Sequence, residues 1–198
     1  MASLLAPSRI TSLDAVNLML RNIGEDPVSS LGSTAKPTAQ KAVAMLAEES
    51  INVQSGGYNF CVERELTLPP NMDGEIVLPS NILSFQPVGR SQMMVVQEGE
   101  DGKLYDAESS TYQFPSAVSL MVVLGRPFDT LPQPVKWFIT LSAAMRFANS
   151  ENPGGAALRV TASDVEQAKV GFERFDRRLR KGGLRQHNPH FRRMRGNR

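Results

Sequence analysis

The residues able to do acid–base or nucleophilic chemistry are few and poorly assembled. Glu63 and Glu65 share one face of an expected strand, with Asp73 and Glu75 close behind in sequence. A glycosidase needs only two such carboxylates, held about 5 to 9 Å apart. Exposed acids are also the ordinary covering of a one-sided sheet, and that is the simpler account of these four. Both histidines, His187 and His190, lie in a glycine- and arginine-rich C-terminal stretch, so no serine or cysteine has a base beside it on a rigid scaffold. The lone cysteine, Cys61, has no intrachain partner, and with two histidines it falls short of a structural zinc site. The pairs Gly56-Gly57, Gly154-Gly155 and Gly182-Gly183 do not have the spacing or the lysine of a phosphate-binding loop and read as helix ends. The sequence therefore gives no catalytic, cofactor-binding or metal-binding residue, and no cofactor.

Charge carries more information. The formal net charge of +2 divides sharply: from Asp176 onward nine basic residues stand against one acid, about +8, which leaves about −6 for the rest. Arg192-Arg193-Met194-Arg195 beside Phe191 mixes guanidinium groups with an aromatic ring, a composition that suits phosphate backbones or acidic protein surfaces. Such a run cannot bury enough apolar area to order itself, so residues 182–198 are expected to form a basic, flexible arm that orders on a partner. Its binding residues would be Arg185, Arg192, Arg193, Arg195 and Arg198. The acidic body argues against a protein that binds nucleic acid along its whole surface. No apolar run approaches the roughly 18 residues of a membrane-spanning helix, and the start of the chain has no basic, long-apolar leader, so assembly in a cytoplasm is expected.

The elements that would carry these residues follow from periodicity. Leu13, Val16, Leu20 and Ile23 recur at helical spacing behind a Thr11/Asp14 capping box, and Gly24 and Pro27 stop the pattern. Pro37 suits a first helical position, and Ala39, Ala42, Ala44 and Ala47 give the second helix small-residue faces. After Gly56-Gly57 the period changes to two: Phe60, Val62, Leu66 and Leu68 alternate with Cys61, Glu63, Glu65 and Thr67. Further strands are expected at Glu75 to Leu78, Met93 to Gln97, Lys103 to Asp106 and Ser119 to Leu124, with an exposed tip at Glu98 to Gly102 serving contact rather than stability. Helical spacing returns with Val135, Phe138, Leu141, Met145 and Ala148, where Trp137 reads as core or interface packing. It returns again with Val165, Ala168, Phe172, Phe175 and Leu179 behind a Ser163/Glu166 box. Phe172, Phe175 and Leu179 are expected to meet Leu20, Ile23 or Leu46. The fold class is α+β: residues 1–57 and 131–181 forming a four-helix bundle from two antiparallel pairs, with 58–130 as an inserted small antiparallel sheet.

Several stretches resemble, in order, the tail tubular protein A family of short-tailed bacteriophages, the head-to-tail adaptors. They are Ala15-Val16-Asn17, Leu20, Ile23-Gly24-Glu25 and Pro27-Val28-Ser29-Ser30-Leu31, then Gln54 to Phe60, Gly74 to Leu83, Leu104-Tyr105-Asp106, Leu131-Pro132, and Phe138-Ile139 through Ala143-Ala144 to Arg146-Phe147. Tyr58 stands where the family pattern has Trp, and the arginine density of the C-terminal end has no counterpart in it. The resemblance implies a structural, non-enzymatic subunit of the virion: a dodecameric ring between the portal protein and the hexameric nozzle of tail tubular protein B, lining the channel through which DNA leaves. It implies no cofactor and non-specific contact with DNA, with tail fibres as a further candidate partner. An acidic portal surface and the DNA in the channel are then the two candidate targets of the arginine arm. Two other classes remain open on the residues alone: nucleic-acid binding through the basic end, and a tail-associated glycan hydrolase using the paired carboxylates.

Overall fold

The computed structural model describes residues 9–32, 36–151 and 160–186, with side chains as far as residue 179. The chain divides into two compact units, one built from residues 1–53 and 127–198 and the other from Gln54–Arg126. The four helices are α1 (Ser12–Asn22), α2 (Pro37–Ser55), α3 (Gln133–Glu151) and α4 (Ala162–Gln186). Five strands, β1 (Val62–Leu68), β2 (Ile82–Pro87), β3 (Val96–Glu98), β4 (Leu104–Asp106) and β5 (Val118–Leu124), fall in the second unit.

In the helical unit α3 is the hub. Between Val135 and Ala148 it buries Val135, Lys136, Ile139, Thr140, Leu141, Ala143, Ala144, Phe147 and Ala148, residues distributed around most of its circumference. A helix apolar on nearly all sides needs neighbours on more than one side, and α1 and α4 both pack on it. The α1 face is Ala15, Val16, Met19 and Leu20, all buried. From α4, Phe172 is fully buried and stacks on Phe138 with ring centroids 5.4 Å apart. The expected four-helix bundle of two antiparallel pairs is not formed. The chief packing is α1 on α3 and α3 on α4, rather than α1 on α2. The physical reason lies in α3: read as one-sided, it is buried nearly all round, so it takes the centre. α2 turns Ala39, Ala42 and Leu46 inward, but Ala44, Ala47 and Ile51 are exposed.

Polar side chains fasten this unit. Asn22, buried at the end of α1, donates from Nδ2 to the Ala144 carbonyl (3.1 Å) and accepts the Val160 N–H at Oδ1 (2.8 Å). Asn17 holds Val28 through both its carbonyl and its N–H, fixing the turn that Gly24 (φ +85°) begins. A left-handed residue at this point is what ends a helix with its last carbonyls satisfied. The first helix carries the expected Thr11/Asp14 box. In α4 the box is Thr161/Asp164 instead of Ser163/Glu166, because Val160 is pinned by Asn22 and the helix therefore starts at Ala162. α4 also runs through Gly182-Gly183 to Gln186 rather than stopping at the glycines.

The second unit holds two small antiparallel sheets, β1-β5-β2 and β3-β4, rather than one inserted layer. β5 is central, and its alternate residues Val118, Leu120 and Val122 join Ile76, Leu78, Leu104 and Phe114 in one buried cluster. Glu75 and Val77 make isolated bridges to Gln113 and Lys103 rather than a strand, while β2, unforeseen in the sequence, flanks β5. The register of β1 shifts between Glu63 and Leu66, which breaks the two-residue alternation expected there, and Phe60 and Cys61, both buried, lie in the turn before the strand. The entry and exit of the unit are joined by Gln54, whose amide donates to the Arg126 carbonyl (3.1 Å) and accepts its N–H (2.7 Å).

Candidate assembly surfaces

The catalytic candidates are dispersed or already engaged. Glu63 and Glu65 are exposed on β1, separated by the register shift. Glu75 is ion-paired to Lys103 at 2.9 Å, and the Asp73 N–H is held by Asn71 in a tight turn. Cys61 points its thiol at the Tyr58 carbonyl, 3.2 Å away. Among the described residues no group of three or more His, Cys, Asp or Glu could hold a metal ion, and no helix is long and apolar enough to cross a membrane. Arg192, Arg193, Arg195 and Arg198 lie outside the described residues. Arg185 falls on the last turns of α4, where side chains are not described.

Other surface features are open and partly apolar. On the helical unit Trp137 is 41% exposed, although Lys136, Ile139, Thr140 and Leu141 close by on α3 are buried. It borders a groove of 590 Å³ lined by Leu18 of α1, Pro134 and Leu141 of α3, and Asp164, Ala168 and Gly171 of α4 among others. A Cβ on Gly171 would meet nothing within 4 Å, so the chain's own packing does not require a glycine there. The one acid in the groove is committed to its own helix. Asp164 accepts the Thr161 N–H (2.9 Å) and hydroxyl (2.7 Å), and these bonds hold its carboxyl below the usual carboxylate range.

A second feature, invisible in the sequence, locks α2 to α3. Glu49 is buried on α2 and accepts a hydrogen bond from the Ser142 hydroxyl (2.6 Å) and another from Arg146. The other edge of the same guanidinium pairs with the exposed Glu48 at 2.8 Å. Together Glu48 and then Glu49 raise the Arg146 pKa, so the fork stays charged throughout. Lys136 is buried too, its ammonium donating to the Ile10 carbonyl (2.8 Å) and standing 5.8 Å from the centre of the Phe128 ring. These are devices that hold helices in fixed relation, and none presents a reactive group.

In the second unit the expected free tip is anchored. The Gly102 carbonyl accepts the N–H of buried Leu78 (2.8 Å), and the Glu100 N–H donates to the Tyr112 hydroxyl (3.3 Å). Gly99 lies so close to Tyr112 that a Cβ would stand 2.5 Å from the ring. Glu98, Glu100 and Asp101 are exposed there, but the turn beneath them is part of the fold.

The family model described as tail tubular protein matches residues 13–181. Tail tubular protein A of Klebsiella phage KP34 is 35% identical over 139 residues, 69% of this chain and 72% of the relative. The match takes in residues of both units, and such proteins are structural components of the phage tail. The chain belongs to the tail tubular protein family.

Proposed function

We propose that this tail component is the head-to-tail adaptor of a short-tailed phage, a dodecameric ring between the portal protein and the tail nozzle that lines the channel for DNA exit. The alignment with Tail tubular protein A carries the reading, because it spans most of both chains. What supports it physically is a subunit whose polar groups are used for internal bracing. Asn22, Glu49, Gln54 and Lys136 are buried and bonded within the chain. A ring element must keep its shape while neighbours pull on it, and buried, satisfied polar contacts favour one arrangement over sliding alternatives. The partly exposed Trp137 at an open groove is the kind of residue that anchors contacts between proteins.

In this reading the protein works in the virion tail after assembly in the host cytoplasm. It has the portal on one side and the nozzle protein on the other, touches DNA without sequence preference, and uses no cofactor. Mass measurement of the protein alone and mixed with its portal tests the proposal. Stoichiometric, ring-sized joining to the portal is the expected result. A chain that stays monomeric beside the portal refutes it.

A further inference from the structure

Among the described residues β2 and β3 are both edge strands: β2 closes the order β1-β5-β2, and β3 pairs with β4 alone. Their free edges line one cleft of 310 Å³, walled by Ile82, Leu83, Ser84 and Phe85 from β2 and Val96, Gln97 and Glu98 from β3. Every second residue of each edge turns its backbone away from the paired strand, with N–H and C=O outward except at Pro87, which offers a carbonyl alone; such an edge is a template for an added strand. Natural edges are usually protected by charge, yet Ile82–Pro87 contains no charged side chain, and only its last residue is a proline. Ile82, Phe85 and Val96 pack on the buried cluster from its margin, so the floor of the cleft is apolar. Glu98 sits at its rim.

Charge selects the occupant. The unit Gln54–Arg126 carries nine acids against four bases, a formal −5. The residues after α4, 187–198, carry four arginines and no acid. Spacing agrees with charge. Val96 and Glu98 lie two apart on β3, an apolar side chain followed by an acid, and Phe191 and Arg193 lie two apart in that segment, an aromatic followed by a base. In an extended chain such pairs share a face about 6.6 Å apart. We infer that the β2/β3 cleft is a strand-acceptor site for the C-terminal segment of a second copy of this chain, with Phe191 over the apolar floor and Arg193 on Glu98. Backbone bonding to the two edges holds the strand, and the arginine–carboxylate pair sets its register.

The inference rests on copies of the chain meeting in an assembly. Full-length chains carrying Ser84→Cys under one tag and Met194→Cys under another are mixed, with portal present and absent, and oxidised; the native Cys61 is buried and stays out of the reaction. Links between differently tagged chains are expected, at roughly tenfold the yield of a Met72→Cys control on an exposed turn, as one ordinary register-setting contact would give. Glu98→Arg or Arg193→Glu alone should lower the yield by about the same factor, and the two together, one in each partner, should restore it. Equal linking at Met72, links only within one chain, or no rescue by the charge exchange overturns the inference. So does transfer of the Met194→Cys link to the portal, or its suppression by added DNA. The mass of the unmutated protein is read in the same mixtures. A chain that never associates refutes the ring, whereas an assembling chain without the Ser84–Met194 link refutes only the strand site.

Discussion

Two adjacent glutamates on α2 contact the same arginine from opposite environments, and their substitution should separate the worth of a buried pair from that of an exposed one. The Glu49 side chain is 5% exposed, Glu48 is 63% exposed, and Arg146 between them is 41% exposed. Glu49→Ala removes two hydrogen bonds to a charged acceptor, each worth roughly 1.5 to 3 kcal/mol. It also releases a desolvated carboxylate, and Arg146 keeps Glu48, so the net loss should be about 2 kcal/mol. Glu48→Ala leaves the buried bonds intact and should cost no more than about 0.5 kcal/mol. Urea unfolding of the single variants and of their combinations with Arg146→Ala gives the two coupling energies. The Glu49–Arg146 term should be about 1 to 2 kcal/mol and the Glu48–Arg146 term below about 0.5 kcal/mol. Salt near 1 M should erase the second and spare much of the first. Equal costs for the two glutamates would mean that Glu49 is hydrated and that α2 is held by its apolar face alone.

Phe172→Ala should cost about 3 to 5 kcal/mol, because the ring is fully buried and stacked on Phe138; a denaturation midpoint shifted by less than 1 kcal/mol equivalent would place this face outside the core. Gly99→Ala should destabilise by about 1 to 3 kcal/mol, since its Cβ would meet the Tyr112 ring at 2.5 Å, and a neutral thermal melt would show that the tip is free after all. Acid should loosen the starts of α1 and α4. Hydrogen bonds from Thr11 and Thr161 hold the Asp14 and Asp164 carboxyls below their unfolded values, so this stabilisation is complete above about pH 4 and is lost as pH falls through the lower folded values. The Asp14→Asn/Asp164→Asn double variant should therefore lose less melting temperature than the parent between about pH 5 and pH 2, and parallel curves would deny the caps this role.

Local signals of the fold were legible where a single turn of chain decides the outcome. Thr11 and Asp14 lie three apart and close their own box, Gly24 ends its own helix, and the Asn71 to Gly74 turn closes on itself with Asn71 Oδ1 accepting the Asp73 and Glu75 N–H groups. Periodicity failed where strands are irregular. β2 inserts Leu83 between Ile82 and Ser84, so its inward residues lose the two-residue period, and β1 shifts in the same way before Leu66. It failed for α3 because a helix buried on most sides shows no simple stripe: polar Lys136 and Thr140 are buried as well, each satisfying its polar atom on a backbone carbonyl. The helix arrangement follows from that all-round burial, which puts α3 between α1 and α4.

The surface and bracing features were harder to read for a different reason: their meaning depends on pairs distant in sequence. Glu49 looks like any helix acid until Ser142 and Arg146, 93 and 97 residues later, enclose it. Trp137 could be assigned to core or interface from sequence, and the structure shows it 41% exposed beside an open groove. Charge was the exception, since the separation of a basic end from an acidic remainder needs no coordinates. It could not say which acidic surface is complementary. The strand site inferred at β2 and β3 would supply that missing term: among the described residues no strand lies beside these edges, the floor is apolar, and Glu98 stands at the distance from Val96 that separates Arg193 from Phe191 in an extended chain. Net charge brings such a segment near, and directional backbone groups decide where it stops.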